Sequence, residues 1–188
     1  YWSRAQESLM GAMSKAGQSM VTKTEKTVWE EQWVQCAKHL NQWDSLTAYA
    51  REVNQFDLQL ECHWKNSDWA SLRDLLQDPM PSDPSQTKIY DIYNALQEGR
   101  LQDAEKHCQE AFQYALKSWC LLPEVTVQAY VPLMQTFHQL VELHESALLL
   151  DEVQKSMRHN SVPELKNTIS AWRERLPNKW DEITVWFE

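Results

Sequence analysis

The sequence predicts an all-α fold, an α-solenoid of stacked helical hairpins similar to tetratricopeptide or HEAT repeats. Three observations support this class. Apolar residues recur three and four positions apart along almost the whole chain, which is the period of an amphipathic helix. Glycine is scarce, with three in 188 residues, and no Asn-Gly or Asp-Gly pair offers the tight turn of a β-hairpin. In addition, one hairpin phrase occurs twice.

Helical stripes divide the first 77 residues into five predicted helices. The first spans residues 2–20, and the polar run 22–26 is predicted to be a turn. The second helix ends near Asn41, and three shorter helices follow, the last capped by Ser67 or Asp68. The predicted inward residues of helices two to five are Trp29, Trp33, Cys36 and Leu40, then Leu46, Tyr49 and Val53, then Phe56, Leu60 and Trp64, then Trp69, Leu72 and Leu76.

A proline-rich segment interrupts the helical pattern after residue 77. Three prolines fall within the eight residues from Asp78 to Ser85. Because proline removes a backbone donor and fixes φ, regular structure is disfavoured there. We therefore predict a flexible loop at about 78–86, and expect it to be the most mobile internal segment.

Five more helices are predicted in the second half of the chain. Gly99 is a plausible C-cap for the first of them, and Pro123 separates the second from the third. A fourth, short helix is expected to begin at Leu143 and to run to about residue 157. The fifth begins at a capping box, Ser161-Val-Pro-Glu164. The inward stripes are Ile89, Ile92, Tyr93 and Leu96; Leu101, Ala104, Cys108, Ala111, Ala115 and Trp119; Val131, Met134, Phe137 and Val141; and Val162, Leu165, Ile169, Trp172 and Leu176.

The repeated phrase has the logic of a helical hairpin. Cys36, Trp43 and Leu46 match Cys62, Trp69 and Leu72 without a gap, and a looser third copy runs over 94–104. In each copy a large side chain is the first residue of the second helix, where it would fill the space between the two helices. We call such a residue a plug. Hairpins of this kind must stack on their neighbours to bury their faces. The predicted plugs are Trp43, Trp69, Leu101 and Trp172. An irregular helical bundle with chance matches is the alternative.

Composition excludes several classes of function. The net charge of −9 repels nucleic-acid phosphate. No apolar run approaches the length of a membrane span. Of the four cysteines, three (Cys36, Cys62 and Cys108) lie on apolar stripes, and none forms a C-x-x-C pair. We therefore expect free, mostly buried thiols in a reducing compartment, either nucleus or cytosol.

No constellation of residues predicts catalysis. Cys36 with His39, Cys62 with His63, and His107 with Cys108 do not supply the four spaced ligands that zinc needs. Three glycines cannot form a phosphate-binding loop. Acidic pairs such as Glu30-Glu31 are adjacent on a helix and therefore point in different directions. The sequence predicts no catalytic, cofactor-binding or metal-binding residue, and we expect the chain not to be an enzyme.

Two hairpin phrases and the final predicted helix carry a resemblance to a known family. The phrases run from Trp33 to Leu46 and from Leu58 to Trp69, and the last helix ends Trp172-Arg-Glu-Arg-Leu-Pro177 before Trp180. This pattern resembles the FAT domain of the phosphatidylinositol-kinase-related kinases, in patches over residues 28–188. We expect the whole chain, 1–188, to be part of one such domain within a longer protein.

Within that family, the sequence is most similar to the pseudokinase scaffolds of histone acetyltransferase complexes. The resemblance implies a non-catalytic scaffold segment in the nucleus, in a parent protein that recruits acetyltransferase modules by binding transcription activators. The implied partners are the other subunits of a large complex, those activators, flanking helical repeats and a kinase-like domain, without direct binding of nucleic acid or membrane. One alternative is the FAT solenoid of an active kinase, which clamps and regulates its kinase domain. Another is a free-standing tetratricopeptide-like adaptor.

Overall fold

The computed structural model describes residues 1–16, 22–77, 84–122, 127–159 and 165–176. Within these ranges all regular structure is helical and no strand occurs, which confirms the predicted all-α class. The chain divides into two compact units, residues 1–90 and 91–188. The described helices are α1 (Trp2–Ala16), α2 (Lys23–His39), α3 (Trp43–Glu52), α4 (Phe56–Lys65), α5 (Trp69–Gln77), α6 (Pro84–Gln97), α7 (Leu101–Leu121), α8 (Val127–His159) and α9 (Lys166–Arg175).

In the first unit, each helix from α1 to α4 packs against the next one along the chain. The core is built from small and medium apolar residues, which allow short helices to approach closely. Sequential packing of neighbouring helices is the arrangement of stacked hairpins, in which each hairpin buries its face on the next. The predicted hairpin stack is confirmed. The core cluster consists of Ala37, Leu46, Ala50, Leu58 and Cys62.

One backbone turn recurs where consecutive helices meet. A residue in the left-handed region follows the end of α2, α3, α4 and α6, and the next backbone N–H donates to the carbonyl five residues earlier. This is the Schellman geometry, which satisfies carbonyls that a helix end would otherwise leave unpaired. The left-handed residues are Asn41 (φ 54°), Asn54 (φ 54°), Ser67 (φ 57°) and Gly99 (φ 70°). The closing bonds are Gln42 to Ala37, Gln55 to Ala50, Asp68 to His63 and Arg100 to Ala95, at 2.9–3.0 Å.

The start of α2 corrects the predicted turn at 22–26. The Thr22 side chain accepts a hydrogen bond from the Glu25 backbone N–H at 3.3 Å, and the Glu25 carboxylate accepts one from the Thr22 N–H at 2.9 Å. This capping box satisfies two donors at the helix start, so α2 begins at Lys23. The polar residues of the run are therefore the solvated first turn of a helix.

Two other predicted boundaries fall partly outside the described residues. The first helix is predicted to reach residue 20; α1 is described to Ala16, and residues 17–21 lie outside the described ranges. Most of the predicted loop at about 78–86 also lies outside them. Its last three residues are helical, because α6 begins at Pro84. Proline suits a first helical position, where its fixed φ is already helical and no N–H is needed.

In the second unit, α7 packs against α8. The α7 face contributes four small buried residues, and an aromatic seam runs beside them along the C-terminal half of the helix. The ring centroids of Phe112 and Phe137 are 6.3 Å apart, and the Trp119 ring lies 5.2 Å from Tyr130 and 6.0 Å from Phe137. Aromatic pairs at these separations add directional contacts to simple burial. The buried residues of α7 are Ala104, Cys108, Ala111 and Ala115.

Helix α8 is longer than predicted. The sequence pattern predicts a break before Leu143, but α8 runs without interruption from Val127 to His159. No glycine or proline occurs between residues 133 and 159, so nothing in that stretch opposes continuation of the helix. The predicted capping box at 161–164 lies outside the described residues, and the following helix, α9, is described from Lys166.

Several residues predicted to point inward are exposed, with exposed fractions from 41% to 67%, namely Val53, Trp119, Val131, Met134, Ile169 and Leu176. Periodicity identifies a stripe on a helix, but it does not identify what covers that stripe. Ile169 belongs to α9, a helix in which no residue is fully buried. These positions belong to the exposed apolar surface, together with residues such as Leu116 and Leu148.

Candidate interaction surfaces

Trp43 is the first residue of α3 and is half-buried. It packs on the core cluster beside Trp33 and Tyr49, whose ring centroids are 5.2 Å apart. The indole therefore lies where α2, α3 and α4 meet. This is the position expected for a plug, although its contribution to the hairpin angle stays a prediction.

A lysine crosses the same edge of the first unit. The Lys65 ammonium lies 4.3 Å from the Trp64 ring centroid and 6.0 Å from that of Trp43. A cation over an indole face is attracted by the ring quadrupole, and the stem of the lysine covers apolar surface. On α2, the Lys38 ammonium binds the Glu61 carboxylate of α4 at 2.6 Å. Lys65 with Trp43, and Lys38 with Glu61, are far apart in the sequence, so no local signal predicts these two contacts.

Trp69, the second predicted plug, is the first residue of α5 and is also half-buried. The residue before it caps the helix: Asp68 Oδ1 accepts from the Ser71 backbone N–H at 3.2 Å. Asp68 Oδ2 lies 3.0 Å from Nδ1 of the buried His63. The hydrogen bonds from Ser71 lower the pKa of Asp68, and His63 adds to this effect. Of the two predicted caps, Asp68 is the one observed, while Ser67 takes the left-handed turn position.

Leu101, the third predicted plug, is the first residue of α7 and is half-buried. The turn before it is held by ionic contacts, because the Arg100 guanidinium donates to Glu98 at 2.6 Å and to Asp103 at 2.5 Å. These carboxylates raise the pKa of Arg100 further. Each of the three positions Trp43, Trp69 and Leu101 is thus the first residue of the helix that follows a left-handed turn.

Trp172 differs from the other predicted plugs because it lies in the middle of α9. Its indole Nε1–H donates to Glu145 Oε2 on α8 at 2.7 Å. Arg175 donates to both oxygens of the same carboxylate, at 2.7 and 2.9 Å. The paired hydrogen bonds from Arg175 lower the pKa of Glu145. Because no residue of α9 is fully buried, this carboxylate is the main described attachment of α9 to α8.

Each unit also has a shallow polar cavity among its described residues. The cavity in the first unit has a volume of about 430 Å³ and lies between α3 and the α4–α5 turn; it is lined by Asp44, Thr47, Ala48, Arg51, His63, Asn66 and Asp68. The cavity in the second unit, of about 350 Å³, lies between the α6–α7 turn and α8. Both are lined largely by polar side chains with charges of both signs, whereas small-molecule sites are lined mainly by hydrophobic and aromatic side chains.

The cysteines are free thiols, and three of the four are buried. Burial raises the pKa of Cys62 and of Cys108 to about 11. In the described part of the chain, no group of three or more His, Cys, Asp or Glu side chains is arranged to hold a metal ion. Over those same ranges, no helix is both long and apolar enough to cross a membrane. That the chain is not an enzyme stays a prediction.

Stacked helical hairpins define a helical-repeat domain. Comparison with known families identifies which one: the sequence profile of the FAT domain matches residues 56–188. The chain belongs to the FAT domain family. The predicted resemblance to the FAT domain is thereby confirmed. The match begins later than the predicted residue 28, so it covers the second hairpin phrase, from Leu58 to Trp69, and not the first.

Three relatives extend the similarity over nearly the whole chain. The "SAGA complex/NuA4 acetyltransferase complex subunit Tra1" of Schizosaccharomyces pombe is 34% identical over 98% of this chain. "Probable transcription-associated protein 1" of Dictyostelium discoideum is 31% identical over 98%, and the human "Transformation/transcription domain-associated protein" is 31% identical over 99%. The chain spans only 4–5% of the length of these relatives. The predicted likeness to this branch of the family is also confirmed.

Proposed function

We propose that the chain is a non-catalytic scaffold segment of a large pseudokinase coactivator subunit, which belongs to nuclear histone acetyltransferase complexes and supports the recruitment of transcription activators. One observation carries this proposal: relatives aligned over nearly the whole chain bear the names of acetyltransferase-complex and transcription-associated proteins. The partners are then the other subunits of the complex, the activators, flanking helical repeats and a kinase-like domain. In this proposal the segment binds neither nucleic acid nor membrane.

The arrangement of the helices supports a mechanical role. In a stack of hairpins, each pair is held by its neighbours, so the stack transmits position over a distance without a large single core. The repeated left-handed turns fix where each helix ends, and the core cluster around Leu46 holds α2, α3 and α4 together. A segment of this kind keeps other parts of a long protein at fixed separations.

The proposal is tested in the full-length parent protein. Leu46 is fully buried, so Leu46→Asp places an unpaired charge in the core and disrupts the first unit. We expect less acetyltransferase to co-purify with the tagged parent, while the activity per bound acetyltransferase is unchanged. The control is Leu148→Asp, because Leu148 is 50% exposed on α8 and its replacement leaves the core intact.

Two results would contradict the proposal. Unchanged recovery of acetyltransferase after Leu46→Asp, with the first unit shown to be disrupted by amide exchange, would remove the scaffold role. Saturable ATP binding and protein phosphorylation by the purified parent would instead favour the alternative, in which the FAT solenoid clamps and regulates an active kinase domain.

A further inference from the structure

The α7–α8 pair has an exposed apolar edge to which the proposed function assigns no particular partner. On α7, Leu116 is 56% exposed and Trp119 is 41% exposed; on α8, Val131 is 52% exposed and Met134 is 46% exposed. Large apolar side chains that are exposed singly are ordinary on protein surfaces, whereas a contiguous group marks an interaction site. The relevant question is therefore whether these four residues form one surface.

Helical spacing places them beside one another. Met134 lies four residues after Tyr130 and three before Phe137, so it is on the same face as the two rings that contact Trp119. Leu116 lies three residues before Trp119 on α7, and Val131 lies three residues before Met134 on α8. The four residues therefore continue the α7–α8 aromatic seam outward, and we name them the seam-edge surface.

The seam-edge surface lies in the least charged part of the sequence. Residues 127–141 contain no Asp, Glu, Lys or Arg, and residues 111–122 contain only Lys117. Transient interfaces between separate proteins are about as polar as the rest of the surface, whereas permanent interfaces resemble a core. An apolar surface that is nearly free of charge and continuous with an existing helix seam fits a permanent contact.

We propose that the seam-edge surface receives an apolar helix from elsewhere in the same long polypeptide, rather than a separate subunit or a second copy. This inference rests on the proposed function only in taking the chain to be a segment of a longer scaffold. Relatives are about twenty times as long as the aligned region, since it spans 5% of their length, and so they contain ample chain to supply that helix. The occupant is a helix whose apolar residues recur three and four positions apart and whose contacting face lacks carboxylates.

A photo-crosslinking experiment in the full-length parent protein tests the source of this helix. Leu116 is replaced by a photoreactive phenylalanine analogue, the purified protein is irradiated, and the crosslinked peptides are identified by mass spectrometry. We expect the partner peptide to come from the same polypeptide, outside the 188 residues. The experiment is repeated on a mixture of isotopically light and heavy parent, in which light–heavy crosslinks report a second copy.

A partner peptide from another subunit, a light–heavy crosslink, or the absence of any crosslink would each overturn the inference. The outcome is separable from that of the proposed function. A crosslink within the polypeptide, from a parent that carries no acetyltransferase, would refute the proposed function and support this inference. A crosslink to an acetyltransferase subunit would refute this inference and support the proposed function.

Matched substitutions give a second, independent test. Val131 and Val53 are both valines of nearly equal exposure, 52% and 51%. In the parent, Val131→Glu buries a carboxylate against the docked helix, so amide exchange in α7 is expected to rise about tenfold or more. Val53→Glu is expected to leave α7 unchanged. Equal effects of the two substitutions, or no effect of Val131→Glu, would count against an occupied surface.

Discussion

Replacing either of two glycines by alanine should change stability in opposite directions. Gly99 has φ +70° in the turn between α6 and α7. A Cβ added there would lie 4.0 Å from Gln154 Nε2, so space is not limiting. The backbone conformation is limiting, because an L-residue in the left-handed region costs about 1–2 kcal/mol. Gly99→Ala is therefore expected to lower the free energy of unfolding by about that amount.

Gly11 provides the matched control. It lies in the interior of α1 and has no positive φ, and a Cβ added to it would meet no described atom within 4 Å beyond its own helix backbone and chain neighbours. Alanine at such a position restricts the unfolded chain and favours the helix by roughly 0.5–1 kcal/mol. The same substitution is thus expected to raise the free energy of unfolding. Gly99→Asn should cost less than Gly99→Ala, because asparagine tolerates the left-handed region.

Urea unfolding followed by circular dichroism measures these changes, and amide exchange at Arg100 reports the turn directly. The Arg100 N–H donates to the Ala95 carbonyl at 2.9 Å and closes the Schellman turn. Faster exchange at this amide is expected for Gly99→Ala and not for Gly11→Ala. If both alanine variants shifted stability in the same direction, the argument from backbone strain would fail.

Three further predictions concern attachment, packing and thiol chemistry. Glu145→Gln should speed amide exchange across α9 but not across the α7–α8 seam. Acid should likewise lower the protection factors of the α9 amides, that is, their exchange rates relative to those of the unfolded chain at the same pH. The pKa of Glu145 is lowered in the folded state, so this attachment is complete above the carboxyl's unfolded pKa and is lost as the pH falls through the folded value. Protection factors in α9 that stay constant over that pH range would refute it. Trp43→Ala should lower the free energy of unfolding of the first unit by about 3 kcal/mol. This is the lower end of the range for replacing a buried tryptophan, because the indole is only half-buried. A change below about 1 kcal/mol in urea unfolding would show that Trp43 is not a plug. Cys120, the exposed thiol, should react with iodoacetamide at pH 8 before Cys62 and Cys108 do, because burial raises the pKa of those two thiols to about 11. Equal labelling of all three cysteines would contradict the burial of Cys62 and Cys108.

The helices and most hairpin turns can be predicted from the sequence because local signals determine them. Apolar spacing identifies the inward faces of α3, α4 and α7, whose residues Leu46, Leu60 and Cys108 are fully buried. The expected turns near Asn41, Ser67 and Gly99 coincide with left-handed residues. A fourth such residue, Asn54, is missing from the predicted turns, although asparagine is the common substitute for glycine at this position.

Two boundary errors have a local cause. The Thr22-x-x-Glu25 pattern is a capping-box signature, yet the polar composition of residues 22–26 also suits a turn, and the turn is the wrong choice. At the other end of the chain, the step from one apolar stripe to the next near Leu143 resembles a break, although α8 is continuous. A stripe changes face along a long helix because 3.6 residues per turn does not match a regular spacing of residues.

The contacts that attach helices to one another cannot be predicted from spacing. The contacting residues are far apart in the sequence. The separation is 23 residues for Lys38 and Glu61, 27 for Glu145 and Trp172, and 30 for Glu145 and Arg175. Nothing local distinguishes these charges from solvated ones on the same helices. The position of α9 therefore follows from tertiary geometry, and Trp172 acts there through its indole N–H as well as its apolar surface.

The hairpin turns also explain how a scaffold can vary its surface without losing its fold. Each turn depends on one left-handed residue, one backbone hydrogen bond and a large side chain at the next helix start, and the seam behind it depends on a few small buried residues. The remaining positions are free to differ, so neighbouring hairpins can present different chemistry. In this chain the first unit presents a polar cavity beside Asp44 and Asp68, and the second unit presents the seam-edge surface in addition to a polar cavity of its own. The polar cavity suits reversible contacts with hydrated, charged partners, and the seam-edge surface suits permanent contact with a helix. Specific binding by this segment is therefore expected to depend on the faces of individual hairpins rather than on a single central site.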